Sequence, residues 1–260
     1  MGAWITLEDK MENKSNENII EGRNPVEEAL ISGISIDKIF ISETANKNAL
    51  SKIFDLARKK GVPYSFVSAK KIEEMSESVR SQGVVAIASY IEYSTVEEIL
   101  AESKKKEKAP FIIIADEITD PHNLGAIIRT ANAAGADGVI IPKHRSAGVN
   151  SVVAKTSAGA VYHTKIAKVS SLSKTIDMLK KEGIWVFGAD LEGKESIFKA
   201  DLSGALALVV GSEGKGIGKL IKEKCDFLVK IPMIGKTESL NASVAAAIIM
   251  YEVLRTRLKV

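Results

Sequence analysis

The sequence has almost no cysteine: Cys225 stands alone among 260 residues, so no intramolecular disulfide can form. Histidine is nearly as scarce, with His122, His144 and His163 far apart along the chain. Without a Cys/His cluster no metal site is expected, and a reducing, cytoplasmic setting is the simpler expectation. Long apolar runs are missing too. The longest small-residue apolar stretch, residues 242–250, is far shorter than the ~20 residues a bilayer-spanning helix needs, so no membrane is expected. Residues 1–7 are mildly apolar but run into Glu8, Asp9 and Glu12, which is not the pattern of a signal peptide. Aromatics supply only 5% of the chain, yet 45% is hydrophobic and 27% charged. Those values sit near the average for soluble globular proteins and exclude a wholly disordered, collagen-like or disulfide-scaffold chain. The length suits one large or two ordinary domains with a substantial core.

Charge of one sign is also lacking, since 36 Lys and Arg face 33 Asp and Glu for a net +3. Split at residue 110, the balance becomes −2 for residues 1–109 and +5 for residues 110–260. The asymmetry leans toward an anionic ligand for the second half.

Four segments emerge along the chain. Residues 1–17 are polar and without periodicity, as in a disordered tail. Residues 18–93 alternate helix and strand patterns in a small α/β unit. A helix opens at Asn24-Pro25, with Asn24 as N-cap and Pro25 in the first position. Residues 94–109, with the run Glu102-Ser-Lys-Lys-Lys-Glu-Lys108, read as a solvated helix end and linker. From 110 to 260, continuous apolar runs such as Phe111-Ile-Ile-Ile-Ala115 alternate with helical patterns. That alternation predicts an α/β domain with a mostly parallel sheet and helices on both faces.

Three motifs follow buried strands in this last segment. The first is Asp116-Glu-Ile-Thr-Asp-Pro-His-Asn-Leu-Gly-Ala-Ile-Ile-Arg-Thr-Ala-Asn132. Asn123 sits where an N-cap belongs, and Arg129 projects from a face other than the apolar stripe. A capped helix bearing a solvated arginine explains this motif equally well. The second is Val209-Val-Gly-Ser-Glu-Gly-Lys-Gly-Ile-Gly218. Glycines at a strand terminus let backbone amides approach a ligand. It is not a P-loop, because Ile217-Gly218 replaces the required Lys-Ser/Thr, and its G-x-G-x-G spacing is not the dinucleotide fingerprint. Glu213 within the turn repels phosphate, which argues against a polyphosphate. The third is Ile231-Pro-Met-Ile-Gly-Lys-Thr-Glu-Ser-Leu-Asn-Ala-Ser-Val-Ala-Ala-Ala247. Ser239 is placed to cap a helix that is apolar nearly all round, with Asn241 in its first turn. A capped buried helix is the plain alternative.

Together and in this order the three motifs resemble the signature of the SpoU/TrmH family of RNA 2′-O-ribose methyltransferases. Ile20-Glu-Gly-Arg-Asn-Pro-Val-Glu-Glu-Ala-Leu30 is similar to the start of the small RNA-binding domain that precedes the catalytic domain in many members. Lys143-His-Arg-Ser-Ala147 and Ile184-Trp185 further resemble the bacterial branch that methylates a guanosine of 23S ribosomal RNA, although His144 stands where Asp is expected. The resemblance implies a C-terminal domain tied in a trefoil knot, a homodimer and S-adenosylmethionine as cofactor. It implies that the cofactor lies against Gly188, Gly211, Ile231 and Leu240. Arg129 is implied beside the reacting ribose oxygen, ordered with the ribose by Asn123, Glu213, Ser239 and Asn241. Arg23 and Arg145 are the expected contacts to substrate RNA.

Two alternatives remain within reach of the sequence. A tRNA ribose could replace the ribosomal one, but the leading small domain and the lack of long basic tails favour ribosomal RNA. A non-catalytic RNA-binding or ribosome-assembly factor would retain the fold without needing Asn123, Arg129, Glu213, Ser239 and Asn241 together.

Overall fold

The computed structural model describes residues 18–76, 81–106 and 108–259, which form two compact units. The expected tail, 1–17, lies outside the described residues. The first unit holds residues 18–92 with the short stretch 148–151, and the second holds the remainder.

The first unit runs β1 (Ile19–Glu21), α1 (Arg23–Ser32), β2 (Ile36–Ser42), a 3-10 turn (Lys47–Leu50), α2 (Ser51–Lys60), β3 (Tyr64–Val67), α3 (Ala69–Met75) and β4 (Val84–Ala88). Its four strands lie in the order β1-β4-β2-β3, with β3 parallel to β2 and the other pairs antiparallel. Val26 and Leu30 of α1 and Ile53 and Ala57 of α2 pack on Ile39, Ile41, Val84 and Ala86 of the sheet. Each of the Val, Leu and Ile side chains contributes about 1.5–3 kcal/mol on burial. The helix expected to be capped by Asn24 instead begins at Arg23. Gly22 takes the cap position with φ +91 and anchors its N–H on the Val84 carbonyl. Pro25 is tolerated there because first-turn amides have no helical acceptor.

The second unit begins with α4 (Val96–Lys105), then β5 (Phe111–Ala115), α5 (Pro121–Ala133), β6 (Gly138–Pro142), α6 (Ser151–Thr156), a 3-10 turn (Ala160–Tyr162) and β7 (Ile166–Val169). It continues through α7 (Leu172–Lys181), β8 (Trp185–Ala189), β9 (Glu195–Ser196), β10 (Leu206–Val210), α8 (Lys219–Lys224), β11 (Phe227–Lys230) and α9 (Ala242–Leu258). Seven strands pair in the order β7-β6-β5-β10-β8-β11-β9, every pair parallel. The sheet is covered on both faces, so β5 and β10 are buried along their whole length, as their unbroken apolar sequences require. On one face Ile112, Ile114, Ala207 and Val209 pack with Val96, Ile99 and Leu100 of α4 and with Ile176 and Leu179 of α7.

The stretch expected to be a linker is therefore largely helix. Thr95 and Glu98 form a reciprocal capping box, and the apolar spacing 96, 99, 100 buries one face of α4. The lysine run dominates the sequence there and hides this stripe. Two further helix starts differ from expectation. Asp120, not Asn123, caps α5 by accepting the His122 N–H at 2.9 Å, with Pro121 at the first helical position. Asn241, not Ser239, caps α9.

Candidate active site

The parallel strands end along one edge of the sheet, and the loops leaving that edge gather where the strand order switches direction, at β5 and β10. Three of these loops carry the sequence motifs, and each is tied down by specific hydrogen bonds.

After β10 the chain doubles back at once. Ser212 donates its N–H to the Gly216 carbonyl at 3.0 Å, and Gly216 returns the bond to Ser212 at 2.9 Å. Gly214 and Gly216 hold φ +87 and +65, which side chains rarely allow. At Gly211 the restriction is steric. A Cβ there would lie 2.0 Å from the Gly216 carbonyl carbon. The far end of the turn is anchored on β5's side, where Asp116 Oδ2 accepts the Gly218 N–H at 2.8 Å. Burial raises the Asp116 carboxyl above its ordinary range, while the Gly218 bond opposes the shift.

One amide joins all three motifs. The Asn241 Oδ1 accepts the Ser243 N–H at 2.9 Å and the Ser243 hydroxyl at 2.7 Å, closing the first turn of α9. Its Nδ2 donates to Asn123 Oδ1 at 3.0 Å and to Glu213 Oε2 at 3.3 Å. Because both helix-capping partners are donors, they require the amide oxygen on their side and the nitrogen on the other. Asn123 is buried in the first turn of α5, so it is a fixed acceptor.

Beside this clasp lies a cavity of about 650 Å³. Its apolar wall is Val210, Val229, Ile231, Leu240 and Ile249, and the glycine turn closes another side with backbone. Apolar walls beside backbone N–H and C=O groups suit an uncharged heteroaromatic ring, and the carboxylate of Glu213 suits a nearby positive charge. Gly211, Glu213, Ile231, Ser239 and Leu240 all line this cavity. Asn123 and Asn241, bonded to one another, are not among the lining residues.

Other expected residues lie elsewhere. Gly188 is not part of the cavity wall; its neighbour Ala189 is. A Cβ at Gly188 would sit 2.9 Å from Cys225 Sγ and Leu228 Cδ2, so this glycine serves close packing within the unit. Arg129 is exposed on α5, outside the cavity wall, with no hydrogen bond or ion pair among the described residues. Asn132, one turn on, donates instead to Thr164 Oγ1 at 3.2 Å. Arg145 is exposed and paired with Glu117 at 3.1 Å. Arg23 lies in the first unit, with Nε on Gln82 Oε1 at 2.9 Å.

Sequence reasoning missed a charged wall of the same cavity. Lys222 of α8 bonds Asp190 at 3.0 Å and Glu192 at 2.6 Å, both from the loop after β8. Hydrogen bonds to Glu192 and then Asp190 hold the Lys222 ammonium above the usual lysine range. Asp190 and Glu192 directly follow a buried strand in a parallel sheet, and that position was the available signal.

Comparison with known proteins bears on both units. Residues 110–251 match the family described as SpoU rRNA methylase, and residues 19–94 match the family described as RNA 2′-O ribose methyltransferase substrate binding. A Bacillus subtilis protein assigned to the TrmH family of tRNA/rRNA methyltransferases is 45% identical over 236 residues, 91% of this chain and 94% of that one. The solved structure of an AdoMet-bound rRNA methyltransferase from Sinorhizobium meliloti is similar with a TM-score of 0.58 and 25% identity, spanning 96% of this chain and 90% of that one. A TrmH/SpoU tRNA modifying enzyme from A. aeolicus is similar with a TM-score of 0.54 and 28% identity, spanning 63% of this chain and 84% of that one.

Proposed function

The chain belongs to the SpoU/TrmH family of RNA methyltransferases, and from that premise we propose that it methylates a ribose 2′-hydroxyl, that of a guanosine in 23S ribosomal RNA, using S-adenosylmethionine. The observation that carries this reading is the clasp of Asn123, Asn241 and Glu213 beside the glycine-walled cavity. The residues present fit the cofactor. The Gly211 cradle leaves no room for a side chain, and Val210, Ile231, Leu240 and Ile249 form an apolar slot for adenine. Glu213, which lines the cavity, would offer a negative charge to the cofactor's sulfonium. When bound, S-adenosylmethionine supplies an electrophilic methyl group.

The chain's own residues then have separate tasks. Asn241 orients the Glu213 carboxylate while holding the end of α9 against α5. Ser239 lines the cavity and offers a hydroxyl to the ribose. Arg129 holds the phosphate next to the reacting hydroxyl and stabilises negative charge developing on its oxygen. A guanidinium remains protonated in water, so electrostatic stabilisation is its natural role. Arg145 adds a phosphate contact.

Arg129 is exposed and not among the residues lining its own chain's cavity, which supports a homodimer whose second copy completes the site. The outward face of α9 supports the same arrangement: Val244, Tyr251 and Leu258 repeat every seven residues as a half-exposed apolar stripe. The return of the chain from β11 through residues 231–241 to pack α9 on α5 and β10 fits a knotted C-terminal segment.

The small first unit favours ribosomal over transfer RNA. The similar rRNA methyltransferase extends over nearly the whole chain, whereas the similar tRNA modifying enzyme spans 63% of it. The test is transfer of labelled methyl from S-adenosylmethionine to protein-free 23S rRNA, followed by nucleoside analysis. Label in 2′-O-methylguanosine is expected. Label in a methylated base, or none with folded protein, refutes the reading.

A further inference from the structure

The first unit contains its own cavity, of about 500 Å³, which no catalytic motif uses. A ligand site of this size accommodates a small molecule or one nucleotide. Its residues come from four separate parts of the unit: the start of α1, the end of β2 with the loop after it, the start of α3, and the turn before β4. Within it, Arg23 donates from Nε to Gln82 Oε1 at 2.9 Å, which commits one guanidinium nitrogen and leaves the two terminal ones for another acceptor. Ser42 and Thr44 share a hydroxyl–hydroxyl bond of 2.8 Å, and Glu73 supplies a carboxylate. Leu50 and Ile72, both deeply buried, contribute an apolar floor.

We propose that this cavity receives one unpaired nucleobase of the RNA substrate. The proposal rests on the RNA-methyltransferase reading above. Donors, acceptors and an apolar floor in one recess match a base, whose edge carries both kinds of hydrogen-bonding group and whose face is apolar. A phosphate fits less well, because Glu73 repels it. The unit belongs to the half of the chain with net charge −2, so it does not hold RNA through its overall charge. Recognition by a shaped recess around one arginine resolves that difficulty. Gln82 adds support: it holds φ +49, uncommon for a residue with a side chain, next to Gly83 at φ +75. This backbone presents the Gln82 amide to Arg23.

The test uses the full-length protein with a 23S rRNA transcript randomly substituted with 4-thiouridine, and total tRNA as the second probe. Irradiation is expected to cross-link the wild type through peptides carrying Thr44, Asn46 or Gln82. Arg23→Ala removes the guanidinium, and Ala69→Trp fills the recess from an exposed position. Both variants are expected to weaken filter binding of the cross-linking RNA about tenfold and to lose the cross-link, with S-adenosylmethionine affinity by calorimetry unchanged. Wild-type RNA affinity in both variants overturns the pocket while the RNA reading stands. Weakened binding with cross-links elsewhere means that a phosphate occupies the recess, which also overturns it. Failure of the wild-type protein to bind either RNA removes the RNA reading and the pocket with it.

Discussion

Two cavities among the described residues, one in each unit, are built on different plans. In the second unit the cavity has an apolar wall and a backbone turn, and its charged wall is neutralised within itself, Lys222 bonding Asp190 and Glu192 while Asn241 holds Glu213. In the first unit the cavity is walled by polar side chains that keep spare donors and acceptors. The contrast separates two kinds of recognition. A constant ligand with an uncharged ring is met by shape and backbone, and a variable polymer is met by side chains.

The largest expected effect comes from destroying the backbone wall. Gly211→Val should abolish calorimetrically detectable S-adenosylmethionine binding, because its first side-chain carbon would meet the Gly216 backbone at 2.0 Å. RNA binding by the first unit should persist. Retained cofactor binding breaks the distinction between the cavities.

Arg129→Ala comes next, with methyl transfer falling about 100-fold as expected for loss of a charge-stabilising group. Cofactor affinity should not change, since Arg129 lies outside the cavity wall. Stability should stay within about 0.5 kcal/mol, as for other exposed positions. Arg129→Lys sharpens the role. If lysine restores most activity with a lowered apparent pKa in the pH–rate profile, a purely electrostatic function is excluded.

Asn241→Ala is expected to cost about 2 kcal/mol in urea unfolding, combining a lost helix cap with lost hydrogen bonds to Asn123 and Glu213. Asn241→Asp should keep the cap but lose the donor to Asn123 and Glu213 and set a second carboxylate against Glu213, so at neutral pH it too should unfold more easily than wild type, with part of the loss recovered as pH falls.

The smallest effect concerns Cys225. Burial and neighbouring Asp226 raise its thiol to about 12. It should therefore resist iodoacetamide at pH 8 until the protein unfolds. The unfolded thiol ionises first as pH rises, so the native state loses this contribution above about pH 9. Rapid alkylation of the native chain contradicts this burial.

Most of the second unit could be read from sequence because its determinants are local. Continuous apolar runs marked β5 and β10, and the glycines of residues 211–218 sit within eight consecutive positions. Short edge strands such as β7 and β9 were not legible, since four and two residues carry no usable period. The cap of α9 was misplaced because Ser239 and Asn241 are equally good capping residues by type. Only the bonds from Asn241 to Ser243, Asn123 and Glu213 decide between them. The pairing of Lys222 with Asp190 and Glu192 and that of Arg23 with Gln82 were hidden for a different reason. The bonded partners lie 30 residues or more apart and meet only through the fold. Arg23 itself was legible as a candidate RNA contact, but its partner Gln82, 59 positions away, was not.

The most direct measurement is a transcriptome-wide map of ribose methylation in cells lacking this gene, complemented with wild type or with Arg129→Ala. The expected result is loss of one 2′-O-methylguanosine from 23S rRNA, restored by the wild type and not by the variant. Loss of a methyl group from a tRNA, or an unchanged ribose-methylation map, contradicts the assignment.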